Sequence, residues 1–205
     1  MRKIALLTQK GGSGKTTLAI HLAVAAEQAG EHVYLVDTDP QESATTWAQQ
    51  RASKTPIVAT VAPNELGDAL QAARIYGITF AVIDTAGQAS PSALSAVDHA
   101  DFILIPCRPT VLDIAAASRT VNMVKASGKP AAFILSQCPP RAMEIPEVVD
   151  ALSAYGIPTI PTTIGLRLSF SRALASGRAV TEFESTGKAA QEIQTLFEWL
   201  KNQPL

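Results

Sequence analysis

The sequence has few charged and few aromatic residues. Of its 205 residues, 17% are charged and 5% are aromatic, whereas 47% are hydrophobic. With so few aromatic side chains, the core must be built mainly from Ala, Val, Leu and Ile, which is typical of α/β proteins with buried parallel strands. The formal net charge of −1 gives no indication of a strongly basic nucleic-acid surface, although it is compatible with a local basic patch.

Cysteines and long apolar runs are also scarce. Cys107 and Cys138 form no C-x-x-C pair. A metal site is therefore not expected, and both thiols are expected to be reduced. No apolar run approaches the ~18 residues of a membrane span. The start of the chain, Met1-Arg2-Lys3, runs directly into the first predicted strand, so no signal peptide is expected. Together these absences predict a cytoplasmic protein with a single domain over residues 1–205.

A glycine-rich loop stands near the start of the chain. The segment Gln9-Lys10-Gly11-Gly12-Ser13-Gly14-Lys15-Thr16-Thr17 follows an apolar run and precedes an amphipathic helical pattern. The spacing matches a phosphate-binding loop in which Lys10 replaces the first glycine. Glycines let backbone N–H groups surround a phosphate, and the helix N-terminus adds partial positive charge. The pattern predicts that Lys15 contacts the β- and γ-phosphates and that the Thr16 hydroxyl binds Mg²⁺.

Two later apolar runs end in carboxylates. Residues 33–36 lead into Asp37-Thr38-Asp39-Pro40-Gln41, and residues 80–83 lead into Asp84-Thr85-Ala86-Gly87. Acids at the ends of parallel strands lie at the edge where open α/β sheets bind ligands. Asp84 is therefore expected near the Mg²⁺, as a Walker-B-like carboxylate. For Asp37, a role as a cap of the following helix is the open alternative.

Apolar runs alternate with helical patterns about seven times along the chain. This alternation predicts an α/β fold, with a mostly parallel, twisted sheet of about seven strands and helices on both faces. Residues 161–168 are predicted to form a loop, and residues 169–176 and 188–200 are predicted to form the last two helices.

Three segments, 10–17, 36–41 and 82–87, together resemble the ParA/MinD superfamily of deviant Walker ATPases. Within it they are most similar to the short ParA-type, ParF-like partition ATPases. The resemblance covers nearly the whole chain, because residues 180–183 and the helix after them are also similar to that group. It implies a P-loop NTPase that uses ATP or ADP with Mg²⁺ and hydrolyses ATP slowly. Larger partition ATPases carry an N-terminal helix-turn-helix domain, which is not expected here because the loop begins at residue 10.

The resemblance also implies a role for each site residue. Lys10 would be the signature lysine that reaches the partner's phosphates across an ATP-sandwich homodimer, and Asp39 would position the attacking water. The implied catalytic residues are Lys10, Lys15 and Asp39. The implied Mg²⁺ site consists of Thr16, Asp84 and Asp39. The implied nucleotide-binding residues are Lys10, Gly11, Gly12, Ser13, Gly14, Lys15, Thr16, Thr17 and Asp37, with Gln137, Pro161 and Thr162 as candidates near the adenine.

Nonspecific DNA binding in the ATP-bound form is implied as well. Related proteins carry their DNA-contacting basic residues in the C-terminal third, and such binding is phosphate-directed and salt-sensitive. The candidates here are Arg167, Arg172, Arg178 and Lys188, with Arg167 the first choice. An ordinary solvated surface is the alternative. The resemblance further implies a small DNA-binding adaptor, ParB- or ParG-like, that stimulates hydrolysis, and a bacterial, nucleoid-associated location.

Two other functions stay open. A MinD-like membrane-cycling ATPase needs a basic amphipathic tail, but residues 193–201 contain only one cation. This tail is therefore expected to pack on the sheet, and no stable membrane association is expected. A positioning ATPase for a cargo other than DNA would have the same active site.

Overall fold

The computed structural model describes residues 1–87 and 90–204, so residues 88, 89 and 205 of the predicted domain lie outside the described part. The strands are β1 (Arg2–Leu6), β2 (Val33–Asp37), β3 (Ile57–Thr60), β4 (Phe80–Asp84), β5 (Phe102–Cys107), β6 (Ala131–Cys138) and β7 (Thr159–Gly165). The α-helices are α1 (Lys15–Gln28), α2 (Ser43–Gln50), α3 (Leu66–Ile75), α4 (Pro91–His99), α5 (Val111–Ser127), α6 (Ile145–Ser153), α7 (Leu168–Ala175), α8 (Val180–Phe183) and α9 (Lys188–Lys201). A short 3₁₀ helix at Pro63–Glu65 precedes α3.

All the strands belong to one seven-stranded sheet. Their order is β3-β2-β4-β1-β5-β6-β7, and each neighbouring pair is parallel. Strands β2, β4 and β5 are buried along their whole length, as expected for strands with helices on both faces. The predicted fold class is confirmed.

The core lies in two layers, one on each face of the sheet. Helices α1, α2, α7, α8 and α9 pack on one face, and α3 to α6 pack on the other. Side chains of a strand alternate between its faces. In and just after β1, Ile4 and Leu6 join the first layer, and Ala5 and Leu7 join the second. Because β2, β4 and β1 are parallel neighbours, their carboxyl ends lie together at one edge of the sheet.

The last strand is longer than the sequence indicated. Residues 161–165 belong to β7, so the prediction of a loop over 161–168 was wrong. Ile160 and Ile164 are buried, whereas Pro161 is exposed. Because β7 is an edge strand, it tolerates a proline that cannot donate a ladder hydrogen bond. The loop is thus shortened to the few residues between Gly165 and the start of α7.

The terminal helix α9 packs on the sheet with its apolar side. Leu196, Phe197 and Leu200 are buried in the first layer. The ring of Phe197 lies 5.7 Å from that of Phe80 in β4, centroid to centroid. Across the part of the chain that the structure describes, no helix combines the length and apolar character needed to span a membrane.

Candidate nucleotide-binding site

The glycine-rich loop connects the end of β1 to the first turn of α1. Gly12 (φ 75°) and Gly14 (φ 91°) have left-handed backbone conformations, which other residues adopt only with strain. A Cβ added to Gly11 or Gly12 would meet no atom within 4 Å. The loop is therefore open on the outside, with space next to its backbone for a ligand.

Two side chains at the end of β6 hold this loop from one side. The Ser136 hydroxyl donates to the carbonyl oxygen of Ser13 (2.8 Å), and the Gln137 amide nitrogen donates to that of Gly12 (2.7 Å). The Gln137 amide nitrogen is thus bonded to the loop, and the predicted contact of Gln137 with adenine stays a prediction.

Lys15 begins α1 and is buried, with 6% of its surface exposed. Burial lowers the pKa of Lys15, and the charges of Asp84 and Asp39 oppose this change. The loop after β4 also packs closely here: a Cβ on Gly87 would lie 3.0 Å from the Cα of Gly11 and 3.3 Å from Lys15 Nζ. Only glycine fits at position 87 without displacing the loop or the lysine.

Two carboxylates lie side by side at the ends of β2 and β4. Asp37 and Asp84 are register partners in this parallel pair, and neither is exposed. Asp37 accepts hydrogen bonds from the backbone N–H groups of Asp39 (3.2 Å) and Thr45 (3.0 Å). Thr45 lies in the first turn of α2. Asp37 therefore makes the helix-capping contact that the sequence left open, and its contact with a nucleotide stays a prediction.

Asp84 has no backbone donors of this kind. Within the described residues, no full hydrogen bond reaches its side-chain oxygens, although the Thr16 hydroxyl lies close enough to act on its pKa. Burial raises the pKa of Asp84 to about 7, and Asp37 and Asp39 act in the same direction. The Thr16 hydroxyl and the Lys15 ammonium oppose the rise without cancelling it. A buried carboxylate in this state is costly unless a cation compensates it.

These residues fit a magnesium ion that is shared with bound phosphates. Mg²⁺ takes oxygen ligands, commonly one or two carboxylates together with phosphate oxygens and water. Asp84 offers two oxygens without donors, and Thr16 lies beside it. Over residues 1–87 and 90–204, no three His, Cys, Asp or Glu side chains are grouped to hold a metal by themselves.

Asp39 lies at a cavity of about 630 Å³ between the loops that follow β2 and β4. The cavity is also lined by Gly11 and Gly87. Asp39 is half-buried, and its Oδ1 accepts the backbone N–H of Gln41 (2.9 Å). This position, next to the outer side of the loop, suits the predicted contact with water or metal, which stays a prediction.

Lys10 is held within its own chain. Its Nζ lies 2.9 Å from Oδ2 of Asp113, a buried residue in the first turn of α5. Arg108 (3.0 Å) and the Thr110 hydroxyl also donate to this carboxylate. Burial by itself raises the pKa of Asp113, but the hydrogen bonds from Thr110, Lys10 and Arg108 outweigh it, and the pKa lies below its usual value.

A second cavity, of about 530 Å³, lies on the other side of the loop. It begins at Gly14 and Thr17, reaches Gln137, and is otherwise lined mainly by apolar residues of the β7–α7 region: Ile164, Leu166, Leu168, Phe170 and Leu174. A flat apolar group linked to phosphates in the loop would fit here. Pro161 and Thr162 are earlier in β7 and do not line this cavity, and their contact with the base stays a prediction.

Arg167, the first choice for DNA contact, is paired with an acid. Its Nε lies 3.1 Å from Oε1 of Glu192 in α9, and Nη2 lies 2.5 Å from the same oxygen. Hydrogen bonding to Glu192 raises the pKa of Arg167. Glu192 also accepts the backbone N–H of Gly165 (3.1 Å). Arg167 therefore fixes the end of β7 to α9, and its charge is compensated.

The other basic candidates lie nearby on the surface. Arg172 and Lys188 are exposed and line, with Arg167, a cavity of about 650 Å³. The guanidinium of Arg178 lies 5.0 Å from the ring centroid of Phe183. The structure thus brings Arg167, Arg172 and Lys188 together.

The sequence also matches a known family. A model of the CobQ/CobB/MinD/ParA nucleotide-binding domain matches residues 4–180. The chain belongs to this family. The resemblance to the ParA/MinD superfamily is therefore confirmed, and the glycine-rich loop is the P-loop of a ParA/MinD-family protein.

Individual ParA/MinD-family relatives cover almost the whole chain. Maintenance of carboxysome distribution protein A from Gloeobacter kilaueensis is 34% identical, over 94% of this chain and 89% of the relative. The chromosome-partitioning ATPase Soj from Thermus thermophilus is 27% identical, over 97% and 94%. The structure of the septum site-determining protein MinD from Pyrococcus horikoshii, complexed with Mg-ADP, has a TM-score of 0.80 at 17% identity, over 98% and 96%. At that identity the match shows the fold alone.

Two contacts at the site, those of Asp113 and Ser136 with the loop, were not predicted from the sequence. Asp113 stands in the pattern Thr110-Val111-Leu112-Asp113, which signals a helix start, and the Thr110 hydroxyl does accept the Asp113 N–H (3.2 Å). That signal does not reveal the contact with Lys10, which depends on how α5 meets the loop. No sequence signal indicates the contact of Ser136 with the carbonyl oxygen of Ser13.

Proposed function

We infer that this ParA/MinD-family chain is a Mg²⁺-dependent ATPase. The observation that carries the inference is Asp84, a fully buried carboxylate without donors beside Lys15 and Thr16. A structural acid would have hydrogen-bond partners, as Asp37 has. A P-loop that binds a nucleotide with its cation gives Asp84 the partner that the protein itself does not provide.

Each residue then has a task that follows from its position. Lys15 and the backbone N–H groups of the loop bind the β- and γ-phosphates, and Asp39 orients a water molecule from the cavity beside Gly11. Thr16 and Asp84 hold Mg²⁺, which neutralises charge on the phosphates when it is bound. The apolar cavity next to Thr17 takes the adenine. Slow hydrolysis without a partner is what the resemblance to the family implies, and we propose it here as well.

Lys10 supports a further part of the proposal, the ATP-sandwich homodimer. In the structure the Lys10 ammonium is bonded to Asp113 of the same chain, and 30% of the Lys10 side chain is exposed. In the dimer, Lys10 leaves Asp113 and adds positive charge to the partner's phosphates, as an arginine finger does.

For the cargo, we favour positioning of a body other than DNA. The 34% identical relative is a carboxysome distribution protein, whereas the partition ATPase Soj is 27% identical. Plasmid or chromosome partition is the second candidate. In both candidate functions, the ATP-bound protein binds the DNA of the nucleoid nonspecifically, through Arg172, Arg178 and Lys188. In both, a small adaptor protein stimulates ATP hydrolysis. Membrane cycling is disfavoured, because the apolar side of α9 is packed in the core.

The test is ATP hydrolysis by the full chain with Mg²⁺, with and without DNA, in the wild type and the Lys15→Ala variant. We expect slow hydrolysis in the wild type, and loss of both ATP binding and hydrolysis in Lys15→Ala, because the buried ammonium is removed from the phosphates. Released phosphate and the fluorescence of a labelled ATP give the two readouts.

Lys54→Ala, at an exposed loop lysine, is the matched control and should leave both readouts unchanged. Unchanged ATP binding by Lys15→Ala would contradict the assignment of the loop. A rate that is the same with and without DNA would count against DNA as the nucleoid surface.

A further inference from the structure

The end of β6 makes an unusual double contact with the P-loop. Ser136 and Gln137 donate to two consecutive carbonyl oxygens, those of Ser13 (2.8 Å) and Gly12 (2.7 Å). Ser136 is buried, with 2% of its surface exposed. The two donors come from neighbouring residues more than 120 positions away along the chain, so the contact fixes the loop to the sheet.

Because the peptide bond is planar, holding a carbonyl oxygen also fixes the direction of the next N–H group of the loop. In a trans peptide, the C=O of one residue and the N–H of the next point in opposite directions. With the carbonyls of Gly12 and Ser13 held toward β6, the N–H groups of Ser13 and Gly14 point away from it. This orientation leaves the two N–H groups available to a ligand on the side of the loop away from β6.

The backbone of Gln137 is strained in making this contact. Its φ of 52° lies in the left-handed region, which costs a residue with a Cβ roughly 1–2 kcal/mol. Such residues persist where the surroundings over-determine them, often at functional sites. Here the left-handed turn at the end of β6 places the Gln137 amide against the loop. A Cβ added to Gly14 would lie 3.6 Å from the Nε2 atom of Gln137.

We propose that Gln137, with Ser136, is a positioning residue that preorganises the P-loop for the polyphosphate of the nucleotide. This inference rests on the proposed function. It gives Gln137 a task different from the one predicted from the sequence, because the N–H that donates to Gly12 is not available to the edge of the base.

A ligand that has phosphates but no base distinguishes the two tasks, holding the P-loop and contacting the base. We would measure Mg²⁺-dependent binding of ATP and of inorganic tripolyphosphate to the wild type and to Gln137→Asn. Asn tolerates the left-handed conformation but is one methylene too short to reach Gly12. We expect both ligands to bind more weakly, by the same factor of about three to ten, the value of one hydrogen bond.

Two further variants distinguish positioning from general stability. Gln137→Gly removes the amide and the strain together, so it should weaken both ligands while the melting temperature stays equal or rises. Ser136→Ala should weaken the binding of ATP and the binding of tripolyphosphate by the same factor. Gln71→Asn, at an exposed position of α3, should change nothing.

The outcomes that overturn the inference are specific. If ATP binds more weakly and tripolyphosphate does not, Gln137 reads the base. If neither changes in Gln137→Asn and Gln137→Gly, the contact has no role in binding. A wild-type chain that bound neither ligand would overturn the proposed function, whereas unequal losses with normal wild-type binding overturn this inference alone.

Discussion

The ends of β2 and β4 carry the same residue in the same register, yet the two aspartates differ in the hydrogen bonds that their side chains accept. Asp37 accepts two backbone N–H groups, whereas Asp84 accepts none within the described residues. Both are fully buried. The difference lies in the segments that follow the strands. After β2, the chain turns into α2 and brings the N–H groups of Asp39 and Thr45 to Asp37. After β4, residues 85–87 bring no such N–H group to Asp84.

This contrast shows how one chemical group serves two purposes at one edge of a sheet. Backbone donors make Asp37 part of the scaffold, since a carboxylate at a helix start satisfies N–H groups that lack partners. The absence of donors leaves Asp84 available for a cation. Because both residues are buried, exposure alone does not distinguish a scaffold residue from a cation ligand. Their hydrogen-bond partners do distinguish them.

The largest expected effect is on catalysis. Asp84→Asn preserves the shape of the side chain but removes its charge, and we expect Mg²⁺-dependent ATP hydrolysis to fall about 10- to 100-fold, the range seen when a metal loses a supporting carboxylate. Phosphate release over a range of Mg²⁺ concentrations is the measurement. Asp37→Asn is the paired variant, and an equal loss of activity in both would break the comparison.

The next effect is on stability as a function of pH, without nucleotide. The pKa of Asp84 is about 7 in the folded chain and near 3.8 when unfolded, so the folded state binds the extra proton. The free energy of unfolding should therefore fall as pH rises from about 4 to 7, by at most about 1.4 kcal/mol per unit. Urea unfolding of the wild type and Asp84→Asn at several pH values isolates this slope.

In Asp84→Asn that contribution should be absent, so the variant becomes more stable than the wild type toward neutral pH. If the stability difference between the two proteins does not change with pH, the aspartate is already compensated in the folded chain. The comparison with Asp37 would then lose its basis.

The smallest expected effect is on the scaffold. Asp37→Ala leaves the N–H groups of Asp39 and Thr45 without their acceptor, and we expect a loss of about 1–2 kcal/mol in the free energy of unfolding, as for other helix caps. The midpoint of urea unfolding measures it. Asp150→Ala, at an exposed site in α6, is the control and should cost almost nothing.

The sequence alone predicts the parts of the molecule that depend on local patterns. The parallel sheet follows from the alternation of apolar runs and helices. Asp84 follows from its position at the end of an apolar run, and the P-loop follows from the spacing of Gly12, Gly14 and Lys15. In each case, neighbours along the chain determine the conformation.

The contacts and boundaries that the sequence did not predict depend on distant partners. The ion pair of Arg167 with Glu192 depends on where α9 packs, and the hydrogen bond of Gln137 to Gly12 depends on where β6 ends. Pro161 indicated a loop, because a sequence does not state which strand lies at the edge of the sheet. Such residues have meaning only once the topology is known.

The two outer strands limit how copies of this chain can associate. β3 has only four residues, and β7 presents Pro161, which has no N–H to offer. Short strands and prolines are the means by which open sheets avoid pairing with other chains. We therefore expect assemblies of this protein to join through side chains and bound ligands, and the sheet to end where one molecule ends.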